Sequence, residues 1–246
     1  MFPSVVLWIV PSLVAQAANH PGPKAAVPFV GCVSYGQVEK LEAPTGTNRA
    51  VPISPASAEK LAYYQSADGI GVLGPRGWYC EGNSGSGGVA LYLSPVPIIR
   101  GPDWRGFEGP GLETWHVISE SSGMYEAAEI IARAFPAYRA LAQATLRNLD
   151  GPVPAGPYPT DHLTYKNESV LEYETPPETE GLGTDSTWLR KSDLPISGAA
   201  ILIADSPGSG RVPDVLLLAV RLPPELAALA PVIVRQVERD ARDRRK

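Results

Sequence analysis

Residues 199–220, AAILIADSPGSGRVPDVLLLAV, contain the pattern that decides the fold. Ala199 to Ala204 and Val215 to Val220 are nearly all-apolar runs, which is typical of central strands with both faces buried. Between them, Asp205-Ser206-Pro207-Gly208 and Arg211-Val212-Pro213 are turn formers that indicate a hairpin-like connection. We therefore predict that these two runs are neighbouring strands at the centre of a sheet.

Outward from this pair, short apolar runs between Gly and Pro turns predict further strands. They are Val27–Val33, Ile70–Leu73, Trp78–Cys80, Val89–Leu93, Pro97–Arg100 and Thr114–Ser119, with an alternating pattern from Leu163 to Glu174. Helical spacing predicts helices over residues 55–66, on each side of Pro136, and from Pro224-Glu225 onward. Because strands and helices are grouped, we predict an α+β fold: a single compact domain with a mainly antiparallel sheet, a few packed helices and a C-terminal helix.

The N-terminus has the pattern of a signal peptide. Residues 1–18, MFPSVVLWIVPSLVAQAA, have an apolar run from Phe2 to Val14 and end in the small-x-small sequence Ala15-Gln16-Ala17. No Lys or Arg precedes the run, so a buried N-terminal strand or helix is the alternative. Residues 29–32, FVGC, resemble a lipobox, but the polar and Pro-rich residues 19–28 separate them from the apolar run.

After removal of residues 1–18 we expect residues 19–246 to form one extracytoplasmic domain, periplasmic or secreted, without a membrane span. Residues 19–27 are predicted to be a flexible leader, and residues 239–246 a charged, solvated tail. The formal net charge is −5 and no basic face is evident, which argues against a nucleic-acid partner. No pattern indicates a cofactor or a metal site.

The two cysteines, Cys32 and Cys80, are expected to pair, because an exported chain meets an oxidising compartment. Such a bridge closes a loop of about 50 residues, worth about 4 kcal/mol in the chain-entropy model. Their spacing does not match a zinc site, and no histidine lies near either cysteine in the sequence.

The segment with the most suggestive composition is residues 74–88, GPRGWYCEGNSGSGG. It lacks the Lys of a phosphate-binding loop, and the next element reads as a strand. Residues 82–86, GNSGS, resemble the nucleophile segment of glutamyl-specific chymotrypsin-like proteases, but the only upstream histidine is His20 in the leader. Two interpretations stay open: a hydrolase with the order serine then histidine, and a plain Gly/Ser hairpin loop.

For the hydrolase, Ser86 or Ser84 is the candidate nucleophile and His116 or His162 the candidate base. Two further groups of residues have a functional and a structural interpretation. The carboxylates between Glu168 and Glu180 suit acid–base chemistry on a sugar or a solvated strand face. Loop aromatics suit stacking on a sugar or peptide, or ordinary packing. They are Trp104, Phe107, Tyr158 and Trp188.

The segment Pro75-Arg76-Gly77-Trp78-Tyr79-Cys80, followed by Gly85-Ser86, resembles a family of uncharacterised bacterial secreted proteins. Members of that family carry A-P-R-G-W, one variable residue, Cys, and a G-S-x-G turn into a strand that ends in Pro. Similar segments continue through most of the chain: residues 61–64, 156–159, 163–165, 180–184 and 220–224. Gly74 stands where the family has Ala, and Ser86 matches where Ser84 does not. The resemblance implies export and a single domain, without an established activity.

Two functions follow as expectations. The first is an exported protein that acts by binding, or as a domain of the cell envelope, with a small molecule, a glycan or an envelope component as partner. The alternative is a small secreted serine hydrolase, an esterase, that uses Ser86 or Ser84 with His116 or His162.

Overall fold

The computed structural model describes residues 24–100, 104–203 and 210–244. Several sequence predictions lie outside these residues: the signal peptide over residues 1–18, the first part of the leader with His20, and most of the connection between the two central strands. The predicted α+β fold with a mainly antiparallel sheet and a C-terminal helix is confirmed.

The elements follow one another in a strand-rich order. The strands are β1 (Ala25–Val27), β2 (Phe29–Cys32), β3 (Ser34–Tyr35), β4 (Lys40–Leu41), β5 (Arg49–Val51), β6 (Leu61–Ser66), β7 (Gly71–Pro75), β8 (Tyr79–Gly85), β9 (Gly88–Ser94), β10 (Gly111–Val117), β11 (His162–Asn167), β12 (Val170–Thr175), β13 (Ile196–Ile203) and β14 (Asp214–Arg221). The helices are α1 (Pro55–Lys60), α2 (Met124–Ala134), α3 (Arg139–Asn148), α4 (Leu182–Asp185) and α5 (Ala230–Arg244). Short 3₁₀ turns at Pro136–Tyr138 and Pro224–Leu229 lead into α3 and α5.

Nine strands form the main sheet in the order β11-β12-β13-β14-β10-β9-β8-β3-β4. The predicted central strands are β13 and β14, which pair antiparallel with Ala200 opposite Leu217. All neighbouring pairs in this sheet are antiparallel except β3 with β8. The apolar runs are continuous because both faces of β13 and β14 are covered.

The two faces of the main sheet carry separate apolar cores. On one face, Ile201 and Leu218 pack with α5 and with a small sheet of order β2-β6-β7. On the other face, Ala200 and Leu217 pack with α2 and α3, which contribute Ile131 among others. We call the second face the α2 face, and it carries the candidate site.

The predicted disulfide between Cys32 and Cys80 is confirmed, with the two sulfur atoms 2.03 Å apart. It joins the end of β2, in the small sheet, to β8 of the main sheet. The start of the Gly/Ser segment is therefore tied covalently to the beginning of the domain. Within the described part of the chain, no helix combines the length and apolarity that crossing a bilayer requires.

The helix predicted over residues 55–66 is wrong in its second half. It begins as expected, with Ser54 capping the N–H of Ser57, but it ends at Lys60. Residues 61–66, LAYYQS, form β6, which is buried between β2 and β7. The Asp68-Gly69 pair, with Gly69 at a φ of +82°, makes the turn to β7. Burial between two partner strands overrode the helical spacing of these residues.

Boundaries at both ends of the domain also need correction. The predicted leader, residues 19–27, includes β1, which pairs with β5 and buries Val27. The predicted solvated tail, residues 239–246, includes the last turns of α5, where Ala241 is buried. Residues 97–100, predicted to be a strand, have no regular structure. The preceding strand, β9, ends at Ser94, so the main sheet does not reach these residues.

Candidate functional site

Strand β10 forms the base of the candidate site because its side chains alternate between the faces of the sheet. Glu113 and Trp115 lie two residues apart, so both side chains are on the α2 face. The residues opposite Trp115 on the flanking strands are Ala90 and Leu217, and Ala219 lies opposite Glu113 on β14. The small alanines leave room beside the acid and the indole.

A groove lies over these two side chains, between α2 and the segment that follows α4. Two adjoining cavities of about 330 and 280 Å³ share Glu113, Trp115 and Trp188, and we call them together the tryptophan groove. The other residues that line it are Asn83, Gly85, Gly87, Gly88, Ala90, Tyr92, Glu126, Glu129, Ile130, Thr184, Asp185, Ser186, Thr187 and Arg190. Its size suits a small ligand or one or two rings of a larger one.

Trp188 offers an exposed ring on a fixed backbone. Its side chain is 43% exposed, and its ring lies 4.7 Å from that of Trp104 between centroids. The backbone N–H of Trp188 donates to Glu113 Oε2 at 2.7 Å, and its carbonyl accepts from the N–H of Phe107 at 2.7 Å. The indole is therefore held in place before any ligand arrives.

Glu113 is a carboxyl group at the bottom of the groove with only 2% of its surface exposed. Burial raises the pKa of Glu113 to about 8, although the Trp188 N–H and the charge of Arg100 act in the opposite direction. At neutral pH this side chain is therefore mostly a neutral acid. One oxygen accepts from Trp188, and within the described residues the other has no hydrogen bond in the protein.

Three further carboxylates form an acidic wall. Glu126 and Glu129 lie one turn apart on α2, and Asp185 ends α4. Arg133 Nη2 lies 3.7 Å from Glu129 Oε1 and 3.9 Å from Asp185 Oδ2, and its guanidinium stacks at 3.9 Å on the ring of Tyr158. Burial raises the pKa of Glu129, against the effect of Arg133. One arginine thus balances two of the three carboxylates.

The Gly/Ser segment forms a tight hairpin, since Gly85 pairs with Gly88 across the turn Ser86-Gly87. Ser86 is exposed, and its Oγ lies 2.7 Å from Ser122 Oγ and accepts from Gln37 Nε2 at 3.2 Å. Its partners are therefore polar side chains that cannot act as a general base.

Ser84 and His116 share the face of the sheet opposite the groove, but Val89 of β9 lies between them. Two strand spacings, about 9.6 Å, separate their backbones. His116 Nε2 lies 3.5 Å from Asp214 Oδ2, on the side of β10 away from Ser84. The other oxygen of Asp214 accepts from the N–H and the hydroxyl of Ser119, each at 2.7 Å.

His162 lies on β11, at the far edge of the main sheet from Ser84 and Ser86. Its side chain is 75% exposed, and its Nδ1 is 3.8 Å from Glu174 Oε1. The structure therefore does not bring Ser86, Ser84, His116 and His162 into one site, and the esterase alternative receives no geometric support.

Most of the other residues that were predicted as site candidates are buried in the core or form ion pairs at the surface. Phe107 and Tyr158 are buried, so among the loop aromatics Trp188 offers the most accessible ring. The carboxylates between Glu168 and Glu180 are spread over the turn before β12, β12 itself and the following segment. There Glu172 pairs with Lys166 at 2.8 Å, and Glu180 pairs with Lys191 at 2.9 Å.

Sequence reasoning did not single out Glu113, Glu126 or Glu129. One signal was present: Glu113 lies two residues before Trp115, and in a strand this spacing puts an acid beside an indole on one face. The predicted strand began at Thr114, one residue too late to include this acid. Glu126 and Glu129 look in the sequence like the solvated face of a helix.

No known family model, curated protein or solved structure matches the chain. In residues 24–100, 104–203 and 210–244, no three His, Cys, Asp or Glu side chains converge in a way that suits a metal ion. The groove itself is therefore the feature of the molecule that indicates a function.

Proposed function

We propose that this protein is an extracytoplasmic bacterial binding domain, periplasmic or secreted, that holds a glycan in the tryptophan groove. The observation that carries the proposal is the exposed indole of Trp188, fixed by its backbone beside a buried acid and an acidic wall. Export is supported by the signal-like residues 1–18, and the Cys32–Cys80 disulfide is compatible with it.

A sugar ring has an apolar face of C–H groups and an edge of hydroxyl groups. The face can stack on the Trp188 indole, while the hydroxyls reach the carboxylates of Glu129 and Asp185 and the side chain of Arg190, which all line the groove. The neutral carboxyl of Glu113 can donate a hydrogen bond to a sugar oxygen. Small apolar ligands would leave these polar groups unpaired at a cost, so the lining favours a polyhydroxylated molecule.

The test is isothermal titration calorimetry with four soluble tetrasaccharides: cellotetraose, chitotetraose, maltotetraose and xylotetraose. We expect at least one of them to bind, and Trp188→Ala to weaken that binding at least tenfold. Tenfold corresponds to about 1.4 kcal/mol, the scale of one lost aromatic stacking contact.

Tyr165→Ala is the matched control, because Tyr165 is another exposed aromatic ring but lies on β11, four strands from β10. This variant should bind like the unaltered protein. Equal affinities for Trp188→Ala and the unaltered protein would contradict the assignment of the groove. The absence of binding both to these four sugars and to the amino sugar titrated below would contradict the glycan function.

A further inference from the structure

The acidic wall of the tryptophan groove has more negative charge than its neighbours neutralise. Arg133 serves both Glu129 and Asp185, and the hydroxyl of Tyr158 also donates to Asp185. Arg190 is the one cation that lines the groove among the described residues. The backbone of Arg190 bonds outside the groove lining: its N–H donates to the carbonyl of Phe107, and its carbonyl accepts from the guanidinium of Arg221.

Glu126 is the carboxylate of the acidic wall that takes part in none of these contacts. Its Oε2 is enclosed by protein and has no hydrogen-bond partner in the part of the chain that the structure describes. The side chain lines the groove from α2. Because Oε2 is enclosed and has no donor, the protein does not compensate this carboxylate, and a cationic ligand in the groove would reach it through its other oxygen.

Glu113 adds a second polar group to the groove, a mostly neutral carboxyl that can accept a hydrogen bond from a ligand or donate one to it. It is almost wholly buried at the bottom of the groove, and only one of its oxygens has a partner in the described residues. The indoles of Trp115 and Trp188 line the same cavity as Glu113 and Glu126. Aromatic faces next to carboxylates are the setting in which proteins bind organic cations.

We infer that the groove selects a sugar with a free ammonium group, an amino sugar without an N-acetyl group. The ammonium group donates to Glu126 and lies against the indoles, while the sugar ring stacks on Trp188. This inference rests on the proposed glycan function and narrows its ligand class. An acetamido group would present a neutral carbonyl and a methyl group to the carboxylates and lose the charge interaction.

Three tetrasaccharides with the same β-1,4-linked glucose-type backbone test the inference, since they differ only at carbon 2. Chitosan tetrasaccharide carries an ammonium group there, chitotetraose an acetamido group and cellotetraose a hydroxyl. We expect chitosan tetrasaccharide to bind about tenfold more tightly than either of the others in calorimetry at about pH 6. The preference should shrink at high salt, as ionic contacts at a partly exposed site do.

Glu126→Gln should reduce this preference to about threefold or less, because the amide removes the charge and keeps the shape. Its circular dichroism spectrum should match that of the unaltered protein, since Glu126 is a partly exposed position on α2. Glu168→Gln is the matched control: Glu168 is an exposed carboxylate in the turn between β11 and β12, and this variant should keep the preference.

The outcomes separate the inference from the proposed function. If all three sugars bind equally well, the ammonium inference is wrong and the glycan function stands. If chitosan tetrasaccharide binds Trp188→Ala as tightly as the unaltered protein, its binding is non-specific charge attraction and the inference is overturned. If none of the sugars in either titration series binds, both fail.

Discussion

Replacing Arg221 by Met should cost about 3–5 kcal/mol of the free energy of unfolding and lower the melting temperature by roughly 10 °C. Arg221 is fully buried at the end of β14. Its guanidinium donates to three backbone carbonyls: those of Gly109 at 2.9 Å, Phe107 at 2.6 Å and Arg190. Each such charge-assisted bond is worth about 1.5–3 kcal/mol, and relief of the buried charge offsets part of their loss.

The effect should reach the groove because these carbonyls belong to the two segments that present Trp104 and Trp188. Burial lowers the pKa of Arg221 to about 10, so the group stays charged at neutral pH. Denaturant unfolding and tryptophan fluorescence measure the two effects, with a red-shifted emission expected in Arg221→Met. Arg147→Met is the control, since Arg147 is exposed near the end of α3. A loss below about 1 kcal/mol would contradict this role of Arg221.

The second large effect is a pH dependence of stability that comes from Glu113. Burial raises its pKa from 4.5 to about 8, so between these values the folded protein holds a proton that the unfolded chain has released. Unfolding then releases a proton, and the free energy of unfolding falls as the pH rises from about 4.5 to about 8. The slope for one proton is at most about 1.4 kcal/mol per pH unit.

Glu113→Gln should remove this contribution, because the amide stays neutral and its oxygen can still accept from the Trp188 N–H. Near pH 8 this variant should be more stable than the unaltered protein by several kcal/mol, with the difference vanishing toward pH 4.5. Other titratable or charged groups around Glu113 are Tyr92 of β9, Arg100 after β9, and Tyr173 of β12.

Denaturant unfolding at several pH values measures the difference between the two proteins, so that contributions from other groups cancel. Arg147→Met, an exposed change near the end of α3, serves as the control, and its curve should have the same slope as that of the unaltered protein. Parallel curves for Glu113→Gln and the unaltered protein would show that Glu113 is ionised in the folded state at these pH values.

The sequence predicted the centre of the fold well, because its signal there is local. The runs that became β13 and β14 are apolar at consecutive positions, as strands covered on both faces must be: Ala199 and Ile201 meet one core, and Ala200 and Leu202 meet the other. The turn residues between them also lie within the same short stretch. No distant part of the chain was needed to interpret them.

The same reasoning failed at β6 because one of its two partner strands, β2, is distant and its own residues are ambiguous. Leu61 and Ala62 suit a helix or a strand equally well, and a capped helix begins just before them. What decides is parallel pairing with β2, whose Phe29 lies opposite Tyr63. Such a pairing joins residues that are far apart in the sequence and leaves no local pattern.

The candidate site was beyond prediction for a related reason. Glu113, Glu126 and Trp188 come from a strand, a helix and a loop, and each looks ordinary in its own stretch of sequence. Their meeting depends on which face of the sheet α2 covers and on where Arg221 holds the Trp188 segment. The serines of the Gly/Ser segment were candidates because of the composition of that segment. Composition does not show whether a histidine lies close enough to act as a general base.

The most direct test of the central claim is where a sugar binds. In a ¹H–¹⁵N NMR titration with whichever tetrasaccharide binds best, the indole N–H signals of Trp115 and Trp188 should shift in a saturable way. The indole signal of Trp78, which packs against the opposite face of the main sheet, should stay in place. Saturable shifts at Trp78 or at the surface around His162 and Ser197, with Trp115 and Trp188 unmoved, would contradict the tryptophan groove as the binding site.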